Sequence, residues 1–236
     1  MLNLKTYPKQ GSQNLVTYHN NKFMKSASKY IIYHAPYFST SYRYLWSLSD
    51  FQMLRKSHND VLKFKIRMNQ SRTENHIFGS RNYDFNKTFR LDNSSSPHKL
   101  SWGSSDYINL PVDLELNEVY EFELWTLSTD ATYIRVKYKK INDVDWNTSN
   151  NTAVCNNMQG MNCVGGSHSA GHSLGGNLWD IKLYNDDVLI LDLPCGLGMK
   201  DVIETNSTNT YDDETSNFSF TNPYLVYWED IIIPQA

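Results

Sequence analysis

The stretch Gly175–Cys195 constrains this chain more than any other part of it. Trp179, Ile181 and Leu183 alternate with Asp180, Lys182 and Tyr184, the two-residue period of a strand with one buried face. Asn185-Asp186-Asp187 supplies turn residues that tolerate positive φ, and Val188–Leu193 reads as the returning strand. Pro194 ends the ladder because it has no N–H to donate. This hairpin sets the class as β.

Other segments carry the same period. Leu62, Phe64, Ile66 and Met68 face one way while Lys63, Lys65 and Arg67 face the other. Ile77–Ser80, Phe89–Leu91 and Leu100–Trp102 read as short strands, the last two separated by the turn at Ser94–Pro97. Tyr120, Phe122 and Leu124 alternate with Glu121 and Glu123, and Thr132, Ile134, Val136 and Tyr138 alternate with Tyr133, Arg135, Lys137 and Lys139. Tyr224–Trp228 and Ile231–Ile233 read as closing strands. No segment offers an amphipathic helix of ordinary length. Many short strands, each with one apolar face, pack naturally as a two-sheet antiparallel sandwich. Asn142–Gly176 reads as a long insertion rich in Asn, Gly and Ser, the kind of loop that is functional or mobile. Residues 1–45 read as irregular; Ile31-Ile32-Tyr33 could form a strand, with Pro36 limiting its length. They are either an attachment arm or outer strands of the main domain, and the expected division is an arm over 1–45 and a sandwich domain over 46–236.

With 236 residues, 40 % of them hydrophobic and 14 % aromatic, the chain can bury one large β core. A net charge of −3 argues against nucleic acid as a partner, since counterion release needs a basic surface. No apolar run nears the roughly 18 residues of a membrane span, so no membrane insertion is expected. The N-terminus lacks the charged-then-apolar pattern of a secretory signal. Cys155, Cys163 and Cys195 show no Cys-x-x-Cys spacing and are expected reduced, with a Cys155–Cys163 loop disulfide as the other reading. The sequons at Asn69, Asn93 and Asn217 are then chance matches.

Gly171-His172-Ser173-Leu174-Gly175 matches the nucleophile-elbow pattern of serine hydrolases. That elbow needs a buried strand before the serine, a helix after it, and a histidine later in the chain. The segment after Ser173 alternates like a strand, and all seven histidines lie at or before His172. The motif therefore reads as a glycine loop leading into a strand. His168 and His172 stand four apart, but in such a loop that spacing sets no ligand geometry, and neither metal nor cofactor is expected. Glu121 and Glu123 could imitate a glycosidase pair, which needs carboxyls opposed across the scissile bond at roughly 5 to 9 Å. Beside Arg135 and Lys137 on the expected partner strand they are more simply a cross-strand charge ladder. No catalytic residue is assigned.

Trp146 stands among Asp143, Asp145 and Asn147 in a polar stretch where pattern does not force an indole inward. Sugar sites stack an aromatic face on C–H groups and use Asp or Asn for hydroxyls, which makes Asp145, Trp146 and Asn147 candidate ligand contacts. Packing beneath the loop is the alternative. Tyr83 and Asp84 form a second candidate.

Phe78-Gly79-Ser80-Arg81-Asn82, the segments Val119–Leu127 and Thr132–Ile141, and above all Gly176, Trp179, Lys182, Leu183, Tyr184, Asp192, Leu193, Pro194 and Cys195 resemble the concanavalin A-like (laminin G-like) jelly roll. More narrowly they resemble versions in bacteriophage virion proteins such as tail fibres, receptor-binding proteins and decoration proteins. Tyr211-Asp212 onward to Phe218 resembles the tail of that pattern, whereas Gly196-Leu197-Gly198-Met199 alters the usual link to it. The resemblance spans about residues 58 to 220 and lacks the Glu-x-Asp-x-Glu strand of the family's enzymes. It implies a non-enzymatic virion structural protein, assembled in the host cytoplasm and forming a homo-oligomer. Such a protein would contact other virion proteins through the N-terminal segment and bind host-surface glycan or another virion protein. A glycan hydrolase of this fold, a secreted or cell-surface carbohydrate-binding module, and a purely structural decoration protein are the alternatives.

Overall fold

The computed structural model describes residues 12–13, 30–39, 43–51, 54, 59–82, 87–102, 106–127, 130–149, 153–154, 160–167, 173–204 and 206–234. The first nine strands are β1 (Ser12–Gln13), β2 (Tyr30–Phe38), β3 (Leu45–Phe51), β4 (Val61–Met68), β5 (Asn75–Gly79), β6 (Phe89–Asp92), β7 (Lys99–Trp102), β8 (Asp106–Asn109) and β9 (Val119–Leu127). Then come β10 (Asp130–Lys140), β11 (Asn147–Thr148), β12 (Ala153–Val154), β13 (Met161–Val164), β14 (Gly176–Asn185) and β15 (Val188–Leu193). A short helix α1 (Leu197–Ile203) precedes β16 (Thr210–Asp212), β17 (Ser219–Thr221) and β18 (Tyr227–Pro234).

Two antiparallel sheets stack as a jelly-roll sandwich. The larger, of ten strands among the described residues, runs β1-β2-β14-β4-β9-β10-β11, with β12 on β10, β15 on β14 and β18 on β2. The smaller, of eight, runs β16-β17-β3-β13-β5-β6-β7-β8. Apolar residues of period two meet between them. Phe64, Phe122 and Tyr138 share one cross-strand row, and Phe64 stacks on Phe122 at 5.2 Å while Phe122 stacks on Tyr138 at 5.1 Å. From the facing sheet Phe78 and Phe89 each meet Phe64 edge-on at 6.3 Å, geometry the ring quadrupoles favour. All five are essentially buried.

The hairpin expected at Asn185–Asp187 forms with Asn185 opposite Val188, and both Asp186 and Asp187 hold positive φ. Three expectations need correction. Tyr30–Phe38 runs through Pro36 as a strand whose residues Tyr30 to Tyr37 pair with β18; the missing N–H removes one donor without breaking the register. The sandwich thus reaches into 1–45, and the division at residue 46 cuts off a strand of the larger sheet. Asn142–Gly176 is not one insertion, because Met161–Val164 is an inner strand between β3 and β5. The link after Pro194, where the sequence departs from the family pattern, contains α1, a helix shorter than ordinary length that buries Met199 and Ile203, in keeping with the expectation. Tyr224–Val226 precedes the closing strand, which is one element, β18.

Cys163 and Cys195 are buried free thiols, which burial pushes well above the usual thiol range; Cys155 lies outside the described residues. Asn93 is buried, with its amide donating to Gln70 O at 3.0 Å, and the Asn217 amide donates to Ile190 O at 2.9 Å, so both sequons are engaged in the fold. No helix among the described residues is long and apolar enough to cross a membrane.

Candidate functional site

The outward face of the larger sheet carries alternating charge and aromatic rings. Register places Lys63, Glu123 and Lys137 in one row across β4, β9 and β10. One Glu123 oxygen lies 3.2 Å from Lys63 Nζ and the other 3.0 Å from Lys137 Nζ. In the next row Lys65 Nζ meets Asp180 at 2.6 Å and Glu121 at 3.9 Å and lies 5.2 Å over the Tyr33 ring. Burial alone would lower the Lys65 pKa, but Asp180 and its neighbours raise it above the ordinary lysine value. The expected ladder exists, with one change: Arg135 lies opposite Trp125 rather than a glutamate. Since each exposed ion pair contributes little, Glu123→Gln should shift the unfolding free energy by less than about 1 kcal/mol in urea titration.

Lys137 joins this ladder to two indoles. Its Nζ lies 5.9 Å from the Trp125 ring centroid and 4.9 Å from that of Trp146, and Lys139 Nζ lies 5.2 Å from Trp146. The lysines position Trp146 against the sheet yet leave it 39 % exposed. A groove of about 520 Å³ opens on the Trp125 side of Lys137, lined by Asn59, Trp125, Leu127, Arg135, Lys137 and Asp187 among others, with Trp146 outside its lining. Its floor is fixed where Asp60 N donates to Thr126 Oγ1 and Thr126 N to Asp60 O, both at 3.0 Å.

Of the sequence-based candidates, Trp146 is therefore placed on this face. Asp145 is exposed beside it, and Asn147 is half-buried in β11 opposite Tyr138. Tyr83 and Asp84 lie outside the described residues, as do His168 and His172. Trp125 and Arg135 were missed, although Trp125 sits on the Glu121–Glu123 phase of its strand and could have been read from it. Ser173 is buried, its Oγ accepts from Arg43 N at 3.2 Å, and Gly176 opens β14 three residues later. The strand–turn–helix geometry of a nucleophile elbow does not form there. Among the described residues no group of three or more His, Cys, Asp or Glu could hold a metal.

No family model and no curated protein matches the sequence. Among solved structures the chain is similar to a "putative carbohydrate binding protein" from Bacteroides ovatus ATCC 8483, with 12 % identity and a TM-score of 0.53 over 86 % of this chain. This chain spans 60 % of that one's length. It is also similar to the heptameric SAP-like pentraxin of Limulus polyphemus, with 14 % identity and a TM-score of 0.47 over 86 % of this chain and 95 % of that one. At such identity the first likeness speaks to fold alone.

Proposed function

We propose that this protein is a non-enzymatic glycan-binding jelly roll displayed on a bacteriophage virion, with Trp125 and Trp146 as its sugar platform. The observation that carries the reading is the pair of indoles flanking Lys137 beside a polar groove on a rigid sheet. Aromatic faces desolvate sugar C–H surfaces, and Arg135, Asn59 and Asp187 supply donors and acceptors for hydroxyls. Weak sites of this kind reach useful strength through copy number, which suits repeated display in a particle and a homo-oligomeric assembly. The virion setting draws on the resemblance of Gly176–Cys195 to phage proteins. Residues before β2 are assigned to contacts with other virion proteins.

The test is a glycan array followed by calorimetry on the best ligand. Trp146→Ala and Trp125→Ala should each weaken binding by about tenfold or more, near 1.4 kcal/mol, with an unchanged melting temperature for the exposed Trp146. Retained affinity in both variants would overturn the platform. Polysaccharide cleavage abolished by Glu123→Gln would replace the binding role with hydrolysis. Absence of the protein from purified particles would remove the virion setting.

A further inference from the structure

The smaller sheet carries a second aromatic–cation constellation on its own outward face, on the opposite side of the sandwich. In β3, Leu45 and Ser47 turn inward, which leaves Trp46 half-buried and Leu48 exposed on the outside. Arg81, just past β5, lays its guanidinium 3.8 Å over the Trp46 ring centroid. Asn162 of β13 fixes that placement from both ends: its Oδ1 accepts from Arg81 N at 2.7 Å, and its Nδ2 donates to Asp50 Oδ1 at 2.7 Å. Trp46, Leu48, Arg81, Asn82 and Asn162 enclose a recess of about 430 Å³.

On the other face most cations are paired with acids, Arg135 and Lys139 excepted among the described residues. There, Lys63, Lys65, Arg67, Lys137 and Lys182 each meet a carboxylate. Arg81 meets none among the described residues, and the Asp50 carboxylate accepts from Asn162. A stacked guanidinium keeps its in-plane N–H edges available, and that fork matches a carboxylate in bidentate fashion. The stacking surface on Trp46 and the apolar Leu48 beside it suit the C–H face of a sugar ring. The Asn82 side chain adds hydrogen-bonding capacity for hydroxyls.

We infer that the Trp46–Arg81 recess binds an acidic sugar through its carboxylate. The inference stands independently of the Trp125–Trp146 platform.

Tri-galacturonate and its fully methyl-esterified form, titrated into the full chain and followed by calorimetry and Trp46-sensitive fluorescence, test it directly. The acid should bind about tenfold or more tightly than the ester, because the ester keeps the ring and removes only the charge. Arg81→Gln should reduce binding of the acid to the level of the ester, Arg81→Lys should recover part of it, and Trp146→Ala should leave it unchanged. The Arg81 variants should keep the parent's melting temperature, since Arg81 is exposed. Equal binding of acid and ester, no binding of the acid, or full affinity in Arg81→Gln would each overturn the assignment. So would a tetra-glutamate peptide binding as tightly as tri-galacturonate, which would mark the recess as a dock for acidic protein.

Discussion

Asp213→Ala is expected to lower the unfolding free energy by about 3–5 kcal/mol, because one buried carboxylate satisfies five donors at once. Its Oδ1 accepts from Asn217 N at 3.0 Å and Phe218 N at 2.9 Å. Its Oδ2 accepts from Asp192 N at 3.0 Å, Thr215 N at 3.1 Å and Thr215 Oγ1 at 2.6 Å. These partners span both sheets: Asp192 belongs to β15 of the larger, and the 213–218 turn joins β16 to β17 of the smaller. The turn also covers the outer edge of β15, where Glu214 N donates to Asp192 O at 2.9 Å and Asn217 Nδ2 to Ile190 O at 2.9 Å. Removing the carboxylate strands buried N–H groups and loosens the cover on an edge strand. For a chain of this size the melting temperature should fall by roughly 10 °C. Asp213→Asn should fall between, since it keeps one acceptor but turns an NH2 toward other donors. A drop under about 1 kcal/mol in urea titration would show that water replaces the carboxylate and that the turn does not couple the sheets.

How much of this could be read beforehand depended on whether a segment carried its own period. β4, β9, β10 and the β14–β15 hairpin were legible because each buries one face and solvates the other over six or more residues. The charge ladder was legible with them, since it needs only the register of those strands. β13 was not legible: Met161–Val164 is four residues long, largely buried, and embedded in a stretch rich in Asn and Gly, so nothing in it alternates. Its place between β3 and β5 comes from the partners. Pro36 misled for a related reason, because its effect depends on whether the neighbouring strand needs that one N–H. α1 buries Met199 and Ile203 four residues apart, a single repeat that no periodicity test separates from chance. The candidate sites divide the same way. Trp125 and Lys137 lie on strands whose facing was already evident, whereas Trp46, Arg81 and Asn162 are far apart in sequence and meet only through the β3–β13–β5 ladder.

Gly176→Ala and Gly198→Ala should change stability in opposite directions, and the contrast tests the packing at the centre of the larger sheet. Gly176 opens β14 where three strands converge, opposite Phe38 of β2 on one side and Met68 of β4 on the other. A Cβ there would stand 2.2 Å from Arg67 O and 3.1 Å from Met68 Cα. Both are backbone atoms of a paired strand, so no side-chain rotation relieves the overlap. β4 and β14 would have to separate locally, at a loss of at least about 3 kcal/mol and a sharp fall in soluble yield. Gly198 lies exposed in α1, and a Cβ added to it would meet nothing within 4 Å. There alanine removes only the backbone entropy penalty of glycine, and a gain of up to about 1 kcal/mol is expected. Paired urea titrations decide the matter. A Gly176→Ala variant as stable as the parent would mean that β4 and β14 do not approach so closely, and the register that sets Gly176 opposite Met68 would have to be redrawn.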